Sequence, residues 1–319
     1  MVIRALPVAR RTVGPYAASR GYGSPLNARG IALVTGGSGD IGSRLLHALR
    51  EHGWRCRCLV HKRPVSGADE TVRGDLADTS SLQAAADGVT AVVHLAAVTH
   101  SRSAARYEEV NLRGTQNLLV AARAAEVGRF LFVSTRAISP DGGAYSRSKH
   151  LSEEAVRRYD LEWTIVRLPE VYGAGNKEGV DRVIAAARRG APIPIVGRGD
   201  DILCPAHVDE VVAACVRALE VPAAVGRTYT LAGPCVSMRE FAELAREVSG
   251  RRSRLLQIPV PVIAALATAS RVIPLPVYPD QLARLRCAKP PPSPEAATDL
   301  EFNPRSLRDG LAGIVSRTE

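Results

Sequence analysis

The first half of the chain alternates short apolar runs with stretches in which apolar residues recur at helical spacing. Ile31-Ala-Leu-Val-Thr35 is the first apolar run, and Ile41, Leu45 and Leu49 form a helical stripe after a glycine-rich break. An apolar run followed by a helical period indicates a buried strand and then an amphipathic helix. Because such units repeat, the pattern predicts an α/β fold with a parallel sheet and right-handed crossovers.

The later elements follow from the same pattern. Further strands are expected at 54–60, 72–76, 91–97 and 130–134, with helices at 78–86, 112–125 and from Tyr145 onwards. In the C-terminal part, helices are expected at 181–189 and 238–249, then an apolar helix at 258–272 packed in a smaller lobe and an extended proline-rich linker at 290–294.

Three glycines break the chain after the first strand. Of Gly36, Gly39 and Gly42, the first permits a tight turn, the second lets backbone approach a pyrophosphate, and the third lets the helix pack on the strand. Free N–H groups of a helix that begins near Asp40 and Ile41 would hold the phosphates. The alternative is a flexible loop between core elements. The flanking strand and helix favour a dinucleotide site and thus a Rossmann-type, doubly wound sheet.

The end of the second strand bears on the choice of cofactor. It carries His61-Lys62-Arg63 and no acidic residue. An acid at this place would accept hydrogen bonds from the ribose hydroxyls of NAD, whereas cations pair with the 2′-phosphate of NADP. His61 and Arg63 therefore favour NADP, with NAD as the alternative cofactor. The competing interpretation is a solvated basic loop.

A tyrosine and a lysine lie four residues apart just beyond the 130–134 strand. Tyr145 and Lys149 fall on one face of the predicted helix, and Ser134 and Thr135 end the strand before it. A lysine cation lowers a tyrosine pKa, and a nearby hydroxyl orients the reacting oxygen. Together with the glycine turn, the pair predicts proton transfer to or from an alcohol while a nicotinamide exchanges hydride.

These motifs together resemble the extended short-chain dehydrogenase/reductase superfamily, specifically its NAD-dependent epimerase/dehydratase family. The resemblance covers about residues 31–311. Its motifs occur in the family's order: Thr35 to Gly42 for the cofactor loop, Gly74-Asp75-Leu76 for the adenine contact, His94-Leu95-Ala96-Ala97 for the strand lining the cofactor, Asn111 for the central helix, Tyr145 with Lys149 for the catalytic pair, and Arg167-Leu-Pro-Glu-Val-Tyr-Gly173 for the segment after the sixth strand.

The resemblance implies a set of site residues. Tyr145, Lys149 and Thr135 are expected to be catalytic, with Ser134 as the alternative hydroxyl, and no metal ligand is expected. The implied cofactor-binding residues are Gly36, Gly39, Asp40, Ile41, Gly42, His61, Arg63, Asp75, Leu76, Leu95, Ala96, Ala97, Asn111, Ser134, Tyr145, Lys149, Pro169 and Val171.

Three features depart from the family pattern. Arg136 follows Ser134-Thr135 where many relatives carry a third hydroxyl or an acid, and the segment between Thr135 and Tyr145 is short. Glu170 stands where nucleotide-sugar relatives usually carry an asparagine near the substrate diphosphate, which a carboxylate would repel. Its side chain is expected to face either solvent or Arg198. Arg198, Arg251, Arg252 and Arg254 are candidate contacts for an anionic substrate, although solvated surface is the simpler interpretation for most of them.

The resemblance also implies a domain organisation. Residues 30–168 and 205–232 are expected to form the dinucleotide-binding domain, and residues 169–204 and 233–315 a smaller, discontinuous substrate-binding lobe. A helix after Asn303-Pro-Arg305 is expected to pack back on this lobe. A homodimer formed through the helices that bear Asn111 and Tyr145 is expected from the resemblance alone.

Charge and composition narrow the choice of partners. The net charge is +10, and half of the excess comes from five arginines within residues 1–29, which contain no acidic residue. We interpret these residues as a disordered basic leader, with a mitochondrial presequence as the alternative. Because basic residues are scattered and aromatic residues make up only 4% of the chain, nucleic-acid binding is not expected. No run of about twenty apolar residues occurs, so we expect no membrane partner and a cytoplasmic location.

The chain contains six dispersed cysteines, which could bind a metal or remain free thiols. Cys56 and Cys58 share a face of the second strand, and no second close pair is present to complete a zinc site. Buried free thiols are therefore expected.

The sequence supports three hypotheses about function. The first is reduction of a keto-sugar linked to a nucleotide, by a 4-ketoreductase that uses NADP, with Tyr145 moving the proton. The second is epimerisation of a nucleotide sugar through a transient keto intermediate, with tightly bound NAD; a steroid-like or other alcohol is a further possible substrate. The third is a non-catalytic dinucleotide-binding protein, against which an intact Tyr145 and Lys149 pair argues.

Overall fold

The computed structural model describes residues 29–173, 175, 179–273, 275 and 277–316. The expected leader, residues 1–29, lies outside this part of the chain except for Arg29. The strands are β1 Ile31–Thr35, β2 Arg55–Val60, β3 Glu70–Arg73, β4 Ala91–His94, β5 Arg129–Thr135, β6 Trp163–Leu168, β7 Val171–Tyr172, β8 Ile193–Val196, β9 Ile202–Leu203, β10 Ala206–His207, β11 Arg227–Thr230, β12 Val236–Ser237 and β13 Leu255–Ile258.

Twelve α-helices are found in the same part of the chain. They are α1 Asp40–Glu51, α2 Thr79–Ala86, α3 Ala104–Tyr107, α4 Gly114–Ala124, α5 Gly143–Arg158, α6 Gly179–Arg188, α7 Val208–Glu220, α8 Met238–Ser249, α9 Val260–Ala269, α10 Gln281–Arg286, α11 Glu295–Asp299 and α12 Leu307–Ser316. A π-helix, Glu108–Arg113, joins α3 to α4, and a short 3₁₀ helix spans Pro222–Ala224.

Seven parallel strands form the central sheet in the order β11-β6-β5-β4-β1-β2-β3. One apolar layer covers the face next to α1 and α7, and a second covers the face next to α2, α4 and α5. Helices on both faces of a parallel sheet make the doubly wound fold, so the predicted fold class is confirmed. The strand order reverses between β1 and β4, and the carboxyl ends of these strands border the crevice where such sheets bind ligands.

The smaller lobe has an apolar core of its own, built from α6, α8, α12 and β8. Packing of α12 against α8 confirms the expected closing helix. Residues 293–302 leave this lobe: Ala296, Leu300 and Phe302 are buried in the core of the central sheet. They fall within the range assigned to the lobe from sequence, and the division into 30–168 plus 205–232 and 169–204 plus 233–315 stays a prediction.

Most predicted elements match the structure, with local differences. Asp78 caps α2, accepting hydrogen bonds from the backbone N–H groups of Ser80 and Ser81. The strand expected to continue to Ala97 ends at His94, and part of the helix expected at 112–125 is the end of the π-helix. A π turn widens the helix by one residue, which sequence periodicity alone does not reveal.

The apolar helix expected at 258–272 does not pack inside the smaller lobe. It corresponds to α9, in which Ala267 is the one buried residue, while Val262 and Leu266 are 45% and 37% exposed. The prediction of a packed helix was wrong because an apolar segment does not by itself reveal which neighbours are available to cover it. No helix in the described part of the chain is long and apolar enough to cross a membrane.

The cysteines also depart from expectation. Cys56, Cys58 and Cys215 are buried free thiols as expected, but Cys204 and Cys235 form a disulfide. The antiparallel pairing of β9 with β12 brings these two residues together, with their Cα atoms 4.0 Å apart. Because the residues are 31 positions apart, their spacing gave no sign of this pairing. Among the residues that the structure describes, no cluster of His, Cys, Asp and Glu could hold a metal ion.

Candidate active site

The glycine turn lies at the carboxyl end of β1, where backbone packing requires glycine at two of the three positions. Gly36 has φ +79°, and a Cβ atom on Gly42 would lie 2.2 Å from the Gly36 carbonyl oxygen. Gly39 is different, because its Cβ would meet nothing closer than 3.4 Å. Gly39 is the N-cap residue of α1 and has no side chain that could cap the helix. The first N–H groups of this helix, from Asp40 and Ile41, therefore have no side-chain acceptor at the N-cap. The turn thus fits a dinucleotide pyrophosphate.

The segment after β4 forms the opposite wall of the crevice. Leu95 N–H donates to the Thr35 carbonyl at 3.2 Å, and Ala96 N–H donates to the Thr35 hydroxyl, also at 3.2 Å. These bonds hold Leu95, Ala96 and Ala97 beside the glycine turn, and all three are half-buried. The structure therefore brings together the two backbone segments that sequence assigned to the cofactor.

The proposed adenosine end of the site lies between β2 and α2. The His61 Nε2 atom is 3.1 Å from a carboxylate oxygen of Asp75. Leu76 packs beneath α4, where a Cβ on Gly114 would lie 2.8 Å from the Leu76 Cβ. Arg63 is exposed on the loop after β2. His61 and Asp75 are therefore in contact, and Arg63 follows two residues after His61 on the same loop.

A buried polar chain runs from the glycine turn to Asn111. The Thr115 hydroxyl donates to the Asn111 carbonyl, so it accepts from His94 Nε2, 2.9 Å away. His94 Nδ1 then accepts from the Thr35 hydroxyl at 2.6 Å. Burial, reinforced by the charge of Lys149, lowers the pKa of His94 to about 3. His94 is thus a neutral imidazole that ties β1 to the helix carrying Asn111.

The π-helix directs Asn111 into the site. The Asn111 side chain accepts from Val98 N–H at 2.8 Å and donates to the Val98 carbonyl at 3.0 Å. Its amide also donates to the Ser148 hydroxyl at 3.0 Å, which links it to α5. Asn111 is 1% exposed. It therefore fixes the segment after β4 against the helix that carries Tyr145.

Tyr145 and Lys149 lie one turn apart on α5, as predicted, next to the end of β5. The Thr135 side chain lies beside the Tyr145 side chain and lowers the pKa of that tyrosine, whereas the buried Ser134 hydroxyl is on the side of Glu153 and has no hydrogen-bond partner in the described part of the chain. Of the two candidate hydroxyls, Thr135 is therefore the one that reaches the tyrosine. Burial raises the pKa of Tyr145, and the positive charge of Arg284 and the Thr135 side chain oppose this rise.

Lys149 is fully enclosed below the tyrosine. Its ammonium donates to the Val133 carbonyl at 2.9 Å and lies 4.0 Å from the centre of the Phe132 ring. Burial lowers the pKa of Lys149 to about 7, and the negative charge of Glu153 opposes this shift. The pair has the geometry of a proton-transferring group, with a phenol at the crevice and a cation behind it.

Glu153 is a buried acid that the sequence did not single out. It is 0% exposed and accepts hydrogen bonds from Arg167 at 2.9 and 2.7 Å and from Arg157 at 2.7 Å. Although burial raises the pKa of Glu153, the Arg167 hydrogen bonds and charge hold it below its ordinary value. A carboxylate here keeps α5 on β6 and supplies negative charge near Lys149.

The smaller lobe covers the tyrosine from above. Asp280 accepts from Tyr145 N–H at 3.3 Å and from the Tyr107 hydroxyl at 3.2 Å. Arg284 lies over the Tyr145 ring and donates to the Thr99 carbonyl at 2.9 Å. Sequence analysis missed both Asp280 and Arg284. They lie more than 130 residues beyond the tyrosine in a segment without a motif, so no local signal marked them.

Two of the three departures from the family pattern, Arg136 and Glu170, are accounted for by contacts. Arg136 is buried and donates to the Pro290 carbonyl at 3.2 Å. Glu170 faces neither solvent nor Arg198: it accepts from Cys204 N–H at 3.2 Å and lies 3.8 Å from the Lys289 ammonium. Both expectations for Glu170 were wrong, because the chain from 286 to 290 crosses the site and supplies a nearer cation.

The remaining sequence candidates lie at the edge of the site or away from it. Pro169 and Val171 follow β6, and Val171 pairs with Ala206 beside the point where the chain returns from the lobe. Arg198 is exposed and lies 3.6 Å from Asp200. Arg251, Arg252 and Arg254 are exposed, on the segment before β13.

Comparison with known proteins gives a consistent result. The family model described as "NAD dependent epimerase/dehydratase family" matches residues 32–232. A ceramide reductase of Caulobacter vibrioides is 31% identical over 244 residues, which cover 74% of this chain and 76% of that protein. A 2-alkyl-3-oxoalkanoate reductase of Stenotrophomonas maltophilia is 30% identical, with 66% and 72% covered. The solved structure of MoeE5 in complex with UDP-glucose and NAD has a TM-score of 0.74 at 25% identity, with 91% and 98% covered.

Proposed function

The chain belongs to the NAD-dependent epimerase/dehydratase family, and from this premise we propose that it is an NADPH-dependent ketoreductase. In this proposal a ketone becomes a secondary alcohol in the crevice between the glycine turn and Tyr145. The observation that carries the proposal is the arrangement of Tyr145, Thr135 and Lys149 at the end of β5.

Each residue of the site has its own role in the proposed reduction. NADPH, when bound, supplies the hydride that reaches the carbonyl carbon. Tyr145 gives its phenolic proton to the carbonyl oxygen, and the Thr135 hydroxyl holds that oxygen and the phenol in line. Lys149 stabilises the phenolate that remains, and the buried Glu153 carboxylate favours the charged form of Lys149. The Arg284 guanidinium adds a second positive charge over the tyrosine ring.

The choice of NADPH rests on the basic loop after β2. His61 and Arg63 lie at the end of the crevice where a ribose would lie, and Asp75 pairs with His61. A 2′-phosphate carries about two negative charges, which the Arg63 guanidinium and an N–H of the His61 ring would bind and an acid would repel. NAD is the alternative cofactor.

For the substrate we propose a ketone that carries an alkyl chain. Two relatives are named as reductases, and one name specifies a 3-oxoalkanoate with an alkyl substituent. Between α9 and α10 runs a groove of about 550 Å³, lined by Ala264, Ala267, Pro279, Leu282 and Ala283 together with Thr268 and Arg286. Five of the seven lining residues are apolar, and the groove borders the helix that carries Arg284, which supports an alkyl chain in this part of the lobe.

A nucleotide-linked keto-sugar is the second candidate substrate. MoeE5, whose structure contains UDP-glucose and NAD, resembles this chain over 91% of its length. Arg136, Lys289 and Arg284 lie around the site and would attract an anionic carrier. The Glu170 carboxylate would repel a diphosphate, although the positive charge of Lys289 partly neutralises this carboxylate.

The test measures consumption of NADPH and of NADH by the purified protein with 2-alkyl-3-oxo acids and with nucleotide-linked 4-keto-sugars. We expect turnover of the oxo acids with NADPH, and loss of turnover with unchanged cofactor affinity in Tyr145→Phe. Tyr159→Phe, a change at the end of the same helix, is the matched control. Full activity in Tyr145→Phe would refute the mechanism. Tightly retained NAD with interconversion of nucleotide sugars would identify an epimerase instead.

A further inference from the structure

The large apolar side chains exposed on the described part of the chain are concentrated in one segment. Eight such residues are exposed, and five of them lie between residues 256 and 273. We call this group the apolar ridge. Val272 is the most exposed, at 89%. The ridge consists of Leu256, Val262, Leu266, Val272 and Ile273.

Helix α9, at the centre of the ridge, is apolar on all sides. Its side chains are Val, Pro, Ile, Ala and Leu with a single Thr, and only Ala267 is buried. Because successive residues turn by about 100°, Val262 and Leu266 lie roughly opposite Ala264 and Thr268. The Ala264 side faces the groove beside α10, so the Val262 side faces solvent. A short helix that is apolar all round, yet covered on one side only, lacks a partner for the other side.

The charges within the chain segment that carries the ridge are of one sign. Residues 248–279 contain Arg251, Arg252, Arg254 and Arg271 and no acidic residue. All four arginines are exposed. Apolar side chains flanked by arginines without acids complement a surface that offers both hydrocarbon and negative charge.

We propose that the apolar ridge docks on an anionic phospholipid bilayer, with α9 lying in the plane of the headgroups. A ten-residue helix is only about 15 Å long, half of the hydrocarbon thickness, so it fits the interface and does not span it. The ridge exposes on the order of 500 Å², less than the ~800 Å² per partner of a stable protein interface. This inference departs from the sequence-based expectation that the protein has no membrane partner.

The test uses flotation of the purified, full-length protein with two kinds of vesicle. One kind contains phosphatidylcholine alone, and the other also contains phosphatidylglycerol. We expect the protein to float with the anionic vesicles and to remain largely unbound with the neutral ones. The double variant Val262→Asp with Leu266→Asp should reduce the partition coefficient about tenfold or more, because charged groups now face hydrocarbon.

Two further variants distinguish binding through the ridge from binding through the overall basic charge, and loss of binding from misfolding. Val225→Asp changes an exposed apolar residue outside the ridge and should bind the vesicles like the wild type. Val272→Asp alters a side chain so exposed that folding does not depend on it, and it should weaken binding. Circular dichroism and NADPH titration establish that each variant is folded.

The proposal fails if the wild type does not float with anionic vesicles. It fails equally if the double variant, Val272→Asp and the wild type float alike, since the basic charge of the chain would then explain the binding. A change of oligomeric state in the ridge variants without vesicle binding would identify a second copy of the chain as the occupant. Because no turnover is measured, these outcomes are independent of the proposed reductase activity.

Discussion

The guanidinium carbon of Arg284 lies 4.8 Å from the centre of the Tyr145 ring. One turn earlier, Asp280 accepts a hydrogen bond from the Tyr145 backbone. A positive and a negative side chain from the smaller lobe thus contact the tyrosine that we propose as the proton donor. In the proposed reaction, the smaller lobe would therefore tune the pKa of the tyrosine as well as enclose the substrate.

Removal of the Arg284 charge is expected to change the pH profile of reduction. Arg284 lowers the pKa of Tyr145, so Arg284→Gln raises it. Reduction needs the protonated phenol, and the fall of kcat at high pH should therefore move to higher pH, by about one unit. Arg284→Lys should restore the profile in part, and Arg158→Gln, at an exposed position on the helix that carries Tyr145, should leave it unchanged. An unaltered profile in Arg284→Gln would assign Arg284 to packing alone.

Two glycine substitutions should separate folding from cofactor binding. Gly42→Ala places a methyl group against the Gly36 carbonyl and is expected to reduce the free energy of unfolding by about 1–3 kcal/mol. Gly39 has ordinary backbone angles, φ −83° and ψ 164°, and room for a methyl group. Gly39→Ala should therefore fold normally yet bind NADPH at least about tenfold more weakly, because the methyl group occupies the approach of the pyrophosphate. Urea unfolding measures the loss of stability, and cofactor titration measures the loss of affinity. If Gly42→Ala and Gly39→Ala lost stability and NADPH affinity to the same extent, the separate roles given to these two glycines would be wrong.

The basic loop after β2 gives a prediction about cofactor preference. The double variant His61→Ala with Arg63→Ala should bind NADPH about tenfold or more weakly than the wild type. Its affinity for NADH should change little, because only NADPH carries the 2′-phosphate. His47→Ala, an exposed histidine on α1, is the control. Equal losses for both cofactors would refute a phosphate contact at this loop.

The buried imidazole of His94 should make stability depend on pH. Its pKa is about 3 in the folded protein, whereas an unfolded histidine titrates near about 6.5. Between these values the unfolded chain takes up a proton that the folded chain does not, so stability falls as the pH drops below about 6.5, by up to about 1.4 kcal/mol per unit. In His94→Gln this dependence should be smaller between pH 6.5 and 5, and in His47→Gln it should match the wild type. Urea unfolding at several pH values measures it.

The features predicted correctly from sequence are those that depend on neighbours along the chain. The glycine turn and the pair of Tyr145 and Lys149 each lie within one strand-turn-helix unit or on one helix, so spacing alone determines their geometry. The π turn at Asn111 is also local, but it follows from the hydrogen bonds between Asn111 and Val98 across the crevice. Periodicity contains no information about that contact.

The features missed from sequence depend on pairing between distant segments. Asp280 and Arg284 reach Tyr145 only because α10 packs on α5. Cys204 meets Cys235 only because β9 pairs with β12. The apolar composition of α9 predicted burial, although burial requires a neighbour that the described fold does not provide on its outer side.

The return of residues 293–302 to the central sheet has a consequence for biosynthesis. All seven strands of the sheet have been synthesised by residue 230, but the edge strand β11 exchanges hydrogen bonds between Thr230 and Ser293, and the apolar layer beside it includes Ala296, Leu300 and Phe302. A nascent chain that ends before these residues therefore leaves an unpaired strand edge and uncovered apolar side chains, the surfaces on which partly folded chains associate. The central sheet is thus completed only when residues 293–302 have been synthesised, and until then these surfaces leave it prone to aggregation.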